Sequence, residues 1–210
     1  SDAAVSVDFA TQDGTADAGA DYVAKSDTIN FAAGVNSQPI TISITDDKLD
    51  EVDETFLVSL SNPSAGTVIG AIDEATVTIV DDDIPGVLAI QSTATVNEKA
   101  GTVSLTVTRT VGSDGSVMVQ FGTADGTAQA GLDYTANSGV LTFLDGETIK
   151  TIEVAITDDV LGSEPDETFF VTLSNPTGGS TLGNTTATVT VQNVNEAPTV
   201  SGPVVVDDVS

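Results

Sequence analysis

The sequence predicts an all-β chain built as two tandem antiparallel β-sandwiches, and three observations carry that prediction. First, short runs alternate apolar and small polar residues with a period of two, as in Val5, Val7 and Phe9 around Ser6 and Asp8, or Ile40, Ile42 and Ile44 around Thr41 and Ser43. Second, clusters of Gly, Asn, Asp and Pro separate these runs, which is the punctuation of half-buried strands joined by turns. Third, the pattern is written almost twice. "VSVDFATQDGTADAGADY" (Val5–Tyr22) lies over "VMVQFGTADGTAQAGLDY" (Val117–Tyr134) at an offset of 112 positions. "ITDD" and "DETF" recur in the same order, with one extra residue in the second loop, and "ATVTIVDDD" recurs as "ATVTVQNVN".

Taken in chain order, the first copy offers strands at Val5–Phe9, Ile40–Ile44, Phe56–Leu60 and Ala75–Ile79. The second copy offers strands over 87–91, 102–108, 117–121, 140–143, 152–156, 169–173 and 187–191. Seven short strands in about 100 residues fit an immunoglobulin-like sandwich. The first copy begins at the counterpart of Val117–Phe121, so it lacks the first two strands. Either the sequence starts inside a domain, or those strands come from the tail or from strand exchange with another chain. The expected domains are residues 1–85, residues 86–196, and a Pro-containing stretch over 197–210 that reads as a linker into a further module.

Composition narrows the chemistry. The 210 residues contain no Cys and no His, which removes disulfides, thiol nucleophiles, Cys/His zinc sites and every Ser–His pair. Hydrophobic residues at 40% suffice for a core, and aromatics at 4% leave that core to Val, Ile, Leu and Ala. A net charge of −27 repels nucleic acid and anionic membranes and attracts cations. No run is long enough to span a bilayer, so no direct membrane insertion is expected, and "SDAAVSVDF" does not read as a signal peptide. An acidic, Thr/Val/Gly-rich, Cys-free chain matches bacterial surface and secreted proteins, so an extracellular or cell-surface location is expected.

The negative charge is not spread evenly. Six carboxylates crowd into the nine residues from Asp46 to Glu54. If consecutive strands run antiparallel, alternate loops share one end of each sandwich, and the acidic residues follow that parity. In the first copy these are Asp21, then Asp46, Asp47, Asp50, Glu51, Asp53 and Glu54, then Asp81, Asp82 and Asp83. In the second they are Glu98, Asp133, Asp158, Asp159, Glu164, Asp166 and Glu167. Two unit charges about 4 Å apart repel by about 4 kcal/mol at an effective dielectric of 20. A divalent cation reverses that sign. Ca²⁺ accepts 6–8 oxygens in irregular geometry, whereas Mg²⁺ demands an octahedron and keeps its waters, so the clusters favour Ca²⁺. Solvated acidic loops are the competing reading. Asp13–Gly14–Thr15 and Asp125–Gly126–Thr127 read as tight turns.

The motifs "DGTADAGADY" and "DGTAQAGLDY", then "ITDD…DETF…LSNP", then "TIVDDD" resemble the Calx-beta family, the calcium-binding β-sandwich repeats of sodium–calcium exchangers that also occur in matrix and bacterial surface proteins. The resemblance covers the chain to residue 195. It implies Ca²⁺ ligands at Asp21, Asp46, Asp47, Glu51, Glu54, Asp81, Asp82 and Asp83, and at Glu98, Asp133, Asp158, Asp159, Glu164 and Glu167. The "DDD" of the first copy is replaced by Asn193, Val194 and Asn195; the two Asn offer carbonyl oxygens without charge, so the second copy is expected to bind fewer or weaker ions.

The expected function is that of a Ca²⁺-stiffened structural or adhesion segment of a large surface protein. Ions held by Asp81–Asp83 would immobilise the "DDDIPG" junction. The expected partners are calcium ions, neighbouring repeats, and cell-surface or matrix molecules. Calcium sensing in a larger protein and a metal-free acidic spacer are the alternatives. Catalysis by paired carboxylates is not expected, because the sequence offers no aromatic platform for sugars.

Overall fold

A computed structural model of the chain describes residues 3–158 and 164–194. It divides into two compact units, Ser1–Asp83 and Ile84–Ser210. Among the described residues no helix is long and apolar enough to cross a membrane.

The second unit is a complete two-sheet sandwich. Its strands are β5 (Val87–Ile90), β6 (Thr93–Asn97), β7 (Thr102–Thr110), β8 (Val117–Asp125), β9 (Ser138–Phe143), β10 (Ile149–Ala155), β11 (Glu167–Ser174), β12 (Thr181–Leu182) and β13 (Thr186–Gln192). One sheet has the order β10-β7-β5-β12 and the other β6-β13-β11-β8-β9. Leu88, Leu105, Val107, Val117, Val119, Phe143, Val154, Phe169, Val171 and Val189 meet between the sheets, which is what the period-two alternation predicts. Two strands escaped the sequence reading. β6 continues the first predicted strand beyond a break and pairs parallel to β13, and β12 is a two-residue parallel partner of β5.

Arg109 is buried at one end of this sandwich. Its Nε donates to Pro85 O at 2.7 Å, and its other nitrogens donate to the carbonyls of Gly115, Leu144 and Asp114. Carbonyls at three turns thereby solvate a charge that burial would otherwise make costly. The acidic loops lie at the opposite end.

The first unit is half a sandwich. Its strands β1 (Val5–Asp13), β2 (Ser26–Phe31), β3 (Glu54–Ser61) and β4 (Glu74–Ile79) form a single antiparallel sheet in the order β2-β1-β3-β4. These strands correspond to β8, β9, β11 and β13. The alternating run Ile40–Ile44, predicted as a strand, is not one: only Ile44 makes an isolated bridge, to Tyr22. Its counterpart β10 pairs with β7, and among the described residues of the first unit nothing corresponds to β7. A strand exists through its ladder partner, so the same pattern without one stays irregular. The enclosed core of this unit is correspondingly small: Ala16, Tyr22 and Phe56, with Ile42, Val58, Val77 and Ile79 packed partly against it.

Candidate metal centre

The loop Gly14–Tyr22, which follows β1, is a braced structure rather than a simple turn. The Tyr22 hydroxyl donates to Asp13 Oδ1 at 2.6 Å, and the Ala18 amide donates to the same oxygen at 2.9 Å. The Tyr22 ring stacks on Phe56, with centroids 4.2 Å apart. Gly14 sits where a Cβ would lie 2.4 Å from the Thr55 carbonyl oxygen, so the loop can press against the start of β3 only without a side chain there. Thr15 Oγ1 accepts from the Thr55 amide at 2.8 Å, and the Ala16 amide donates to Thr55 O at 2.9 Å. These contacts bring Asp21 beside Glu54. The Asp17 amide donates to Asp21 Oδ2 at 2.7 Å and fixes the direction of that carboxylate.

Two further ties collect the remaining acids. The Thr45 amide donates to Asp21 O at 2.9 Å, anchoring the segment that carries Asp46 and Asp47. The Asp81 amide donates to Asp53 Oδ1 at 3.2 Å, holding the exit of β4 against the same loop. Carboxylate oxygens of Asp21, Glu51 and Glu54 lie within 4.8 Å of one another. A cavity of about 110 Å³ is lined by Asp21, Asp46, Asp47, Glu51, Glu54, Asp81, Asp82 and Asp83. The structure thus brings all eight ligand positions expected in the first copy to one cavity.

The electrostatics of the cluster carry the signature of uncompensated charge. The Glu51 carboxyl is pushed up from its ordinary value, first by desolvation and then by Asp47, Asp21, Asp81 and Asp83. Glu54 is pushed up as well, by desolvation first and then by Asp21 and Glu51. Lys48 answers part of this charge: its Nζ lies 3.8 Å from Asp83 Oδ1. An all-oxygen, multiply charged donor set around a cavity is chemistry suited to a hard divalent cation, and the residues present fit Ca²⁺.

The second unit repeats the bracing more faithfully than the cluster. Tyr134 donates to Asp125 Oδ1 at 2.6 Å and stacks on Phe169, and the Gln129 amide donates to Asp133 Oδ2 at 2.7 Å. Glu98, Asp133, Glu164, Glu167 and Asn193 line a cavity of only about 10 Å³. Glu98 is buried, and its carboxylate accepts the Val194 amide at 2.9 Å, so it supports the exit of β13. Asp158 is exposed and does not line that cavity. Asp159 and Asn195 lie outside the described residues.

The sequence reading took Asp13, Thr15, Asp125 and Thr127 as tight-turn residues and Asp53 as one of the clustered acids, and missed their bracing role. The available signal was repetition: "DGTA" followed by "DY" recurs intact where the terminal aspartates do not.

Similarity to known proteins supports the same reading. The Calx-beta domain model matches residues 1–83 and again residues 81–196. The chain belongs to the Calx-beta family. Sodium/calcium exchanger 1 of Rattus norvegicus is 37% identical over 191 residues, which are 82% of this Calx-beta chain and 20% of the exchanger. Sodium/calcium exchanger 2 of Homo sapiens is 37% identical over 187 residues, 81% of this chain and 20% of the exchanger. The chain therefore spans about a fifth of the relatives it matches. Among solved structures, CBD12 from CALX1.2 is 30% identical with a TM-score of 0.49, over 91% of this chain and 88% of that one. The calcium binding domain CBD12 of CALX1.1 is 31% identical with a TM-score of 0.47, over 89% and 87%.

The relatives correct part of the sequence reading. They are ion exchangers, which overturns the expected secreted or cell-surface location. They likewise give no support to a bacterial surface origin, an adhesion role or matrix partners.

Proposed function

We propose that the chain is a non-enzymatic, calcium-responsive regulatory module of a larger protein, with its principal site in the first unit. The observation that carries this reading is the meeting of Asp21, Glu51 and Glu54 oxygens within 4.8 Å in a cavity lined by eight carboxylates. The segments that supply those carboxylates are held together by the Ala16 amide on Thr55 O, the Thr45 amide on Asp21 O and the Asp81 amide on Asp53 Oδ1, so an ion there bonds the loops to one another. Binding to the folded state alone stabilises it by RT ln(1 + [L]/Kd), about 2.7 kcal/mol at a hundredfold excess over Kd. The exchanger relatives favour sensing over a passive strut, and the finer expectation of a stiffened junction becomes the means of response, because Asp81–Asp83 lead directly into Ile84.

Titration calorimetry with Ca²⁺ and, separately, Mg²⁺ tests the reading. Calcium heat that disappears on Asp21→Asn with Glu54→Gln supports it. A flat calcium trace from the folded protein would instead establish an acidic spacer that binds no metal. Small-angle scattering tests the junction: unchanged curves with calcium and with chelator remove the mechanical part.

A further inference from the structure

Five basic residues stand against 32 acidic ones in this chain, so the place of each matters. Arg109 gives its donors to the carbonyls of Pro85, Gly115, Leu144 and Asp114. Lys150 pairs with Glu147 at 2.8 Å, and Lys25 Nζ donates to Thr41 O at 2.9 Å. Lys99 lies in the short 3-10 turn after β6. Lys48 is set inside the acidic run itself, directly after Asp46 and Asp47 and ahead of Asp50, Glu51, Asp53 and Glu54. Its side chain is 53% exposed, whereas that of its partner Asp83 is only 12% exposed. The ammonium thus reaches in from solvent to a shielded carboxylate that lines the candidate calcium cavity. In the second copy, Asp158 and Asp159 match Asp46 and Asp47, and Val160 stands where the first copy has Lys48.

We propose that Lys48 is a tethered counter-ion of the calcium site: its ammonium holds Asp83 while no calcium is bound and releases that carboxylate when an ion takes it. This inference rests on the calcium reading of the first unit. The pair joins the same two segments as the Asp81 amide and Asp53 do, the acidic loop and the exit of β4. Lys48 therefore keeps those segments together without metal and offsets part of the repulsion among the carboxylates. Being covalently attached, it pays no entropy of association. Calcium carries two charges and gathers several oxygens at once, so it displaces a single ammonium once its concentration suffices. The displacement costs affinity, because the ion must part the Lys48–Asp83 pair and then sit near a like charge. Lys48 thereby raises the calcium concentration at which the first unit responds, a restraint that Val160 cannot supply in the second copy.

A double-mutant cycle in chelator tests the contact without calcium. Melting of Lys48→Gln, Asp83→Asn and the pair is set beside the same cycle on Lys48 and Asp82, a neighbouring carboxylate of equal charge. Lys48→Gln should melt lower than the parent, and its coupling to Asp83 should exceed its coupling to Asp82. Titration calorimetry on the full chain then reads the ion: Lys48→Gln should bind calcium tighter by roughly threefold or more, since a like charge has gone. Isotopic reductive methylation labels the four lysines and keeps their charge. Calcium should shift the Lys48 methyl resonance and leave those of Lys25 and Lys150 in place. Equal coupling to Asp82 and Asp83 overturns the proposal, as does a Lys48 resonance that calcium leaves unmoved. Calcium binding of the same strength in parent and Lys48→Gln overturns the counter-ion alone, whereas a parent that binds no calcium overturns it together with the reading on which it rests.

Discussion

The Tyr134 hydroxyl donates to Asp125 Oδ1 at 2.6 Å, closing the loop that carries Asp133 onto the end of β8, while the ring stacks on Phe169 at 4.2 Å. Tyr22 and Asp13 repeat this pair in the first unit, with the same distance and the same stacking partner in Phe56. One side chain thus joins the apolar core to the acidic pole. The pair is conditioned from both sides: the tyrosine hydrogen bond and the Ala130 amide hold the Asp125 carboxyl below its ordinary range.

These tyrosines predict an alkaline transition. Burial, reinforced by Asp125, pushes the Tyr134 phenol up to about 12, and the hydrogen bond to Asp13 pushes Tyr22 up as well. A phenol whose folded pKa exceeds its unfolded value binds more protons folded than unfolded. Its contribution to stability is complete below pH ~10 and is lost as pH rises from there through about 12. The chain contains only two tyrosines, so phenolate absorbance reads them directly. Less phenolate than two ordinary phenols would show is expected at pH ~10.5 while the fold persists, followed by ionisation and unfolding together. An ordinary titration midpoint near 10 in the folded protein would contradict the bracing.

A steric prediction follows from the same loops. Gly126→Ala places a Cβ 2.4 Å from the Thr168 carbonyl oxygen, which also accepts the Ala128 amide. The backbone must shift, at a cost of about 1–3 kcal/mol. The Gly14→Ala change meets Thr55 O at 2.4 Å and displaces Asp21 from Glu54, so it should weaken calcium binding as well as stability. Thermal melts and calorimetry on the two variants separate these effects. Wild-type stability in Gly126→Ala would show that the close approach is not required.

The sequence made the architecture legible where a clear period-two run met an antiparallel neighbour; β2, β6 and β12 escaped it although their partners β1, β13 and β5 lie in the chain. Alternation locates β1, β3, β8, β11 and β13, and antiparallel parity places Asp21, Glu54 and Asp81 at one pole, where the structure has them. Alternation fails at Ile40–Ile44 because it records which face a residue would turn inward, not whether a ladder neighbour exists. The parallel pairing of β6 to β13 was invisible for a related reason: it joins residues nearly a hundred positions apart through no turn motif. The bracing role of Asp13 was hidden because Asp–Gly–Thr reads equally well as turn chemistry.

Charge removal at the cluster should have opposite effects with and without metal. Glu54 is held against Asp21 and Glu51 with its carboxyl pushed up by desolvation, so its charge destabilises the metal-free fold. Glu54→Gln keeps the volume and removes that repulsion. In chelator the variant should melt higher than the parent; in calcium the order should reverse, because the parent gains binding energy that the variant lacks. Melting curves under both conditions decide it. A purely solvated acidic loop predicts no such crossing.

The two units should also differ in affinity. Calcium affinity rises with the number of charged ligands. The first unit places Asp81, Asp82 and Asp83 at its cavity, where the second has Asn193 and Val194 at the corresponding positions. Replacing Asp81 and Asp83 together by Asn gives the first unit the ligand charge of the second while leaving the ties from Thr45 and Thr55 intact. The Asp81 amide can still donate to Asp53, since that bond uses the backbone. Calcium affinity of the first unit should fall by roughly tenfold or more, which corresponds to about 1.4 kcal/mol. Titration of the double variant beside Glu164→Gln/Glu167→Gln, which addresses the second unit alone, assigns the tighter isotherm. If the tight phase survives in the first variant and vanishes in the second, the principal site lies in the second unit and the order of the two sites is reversed.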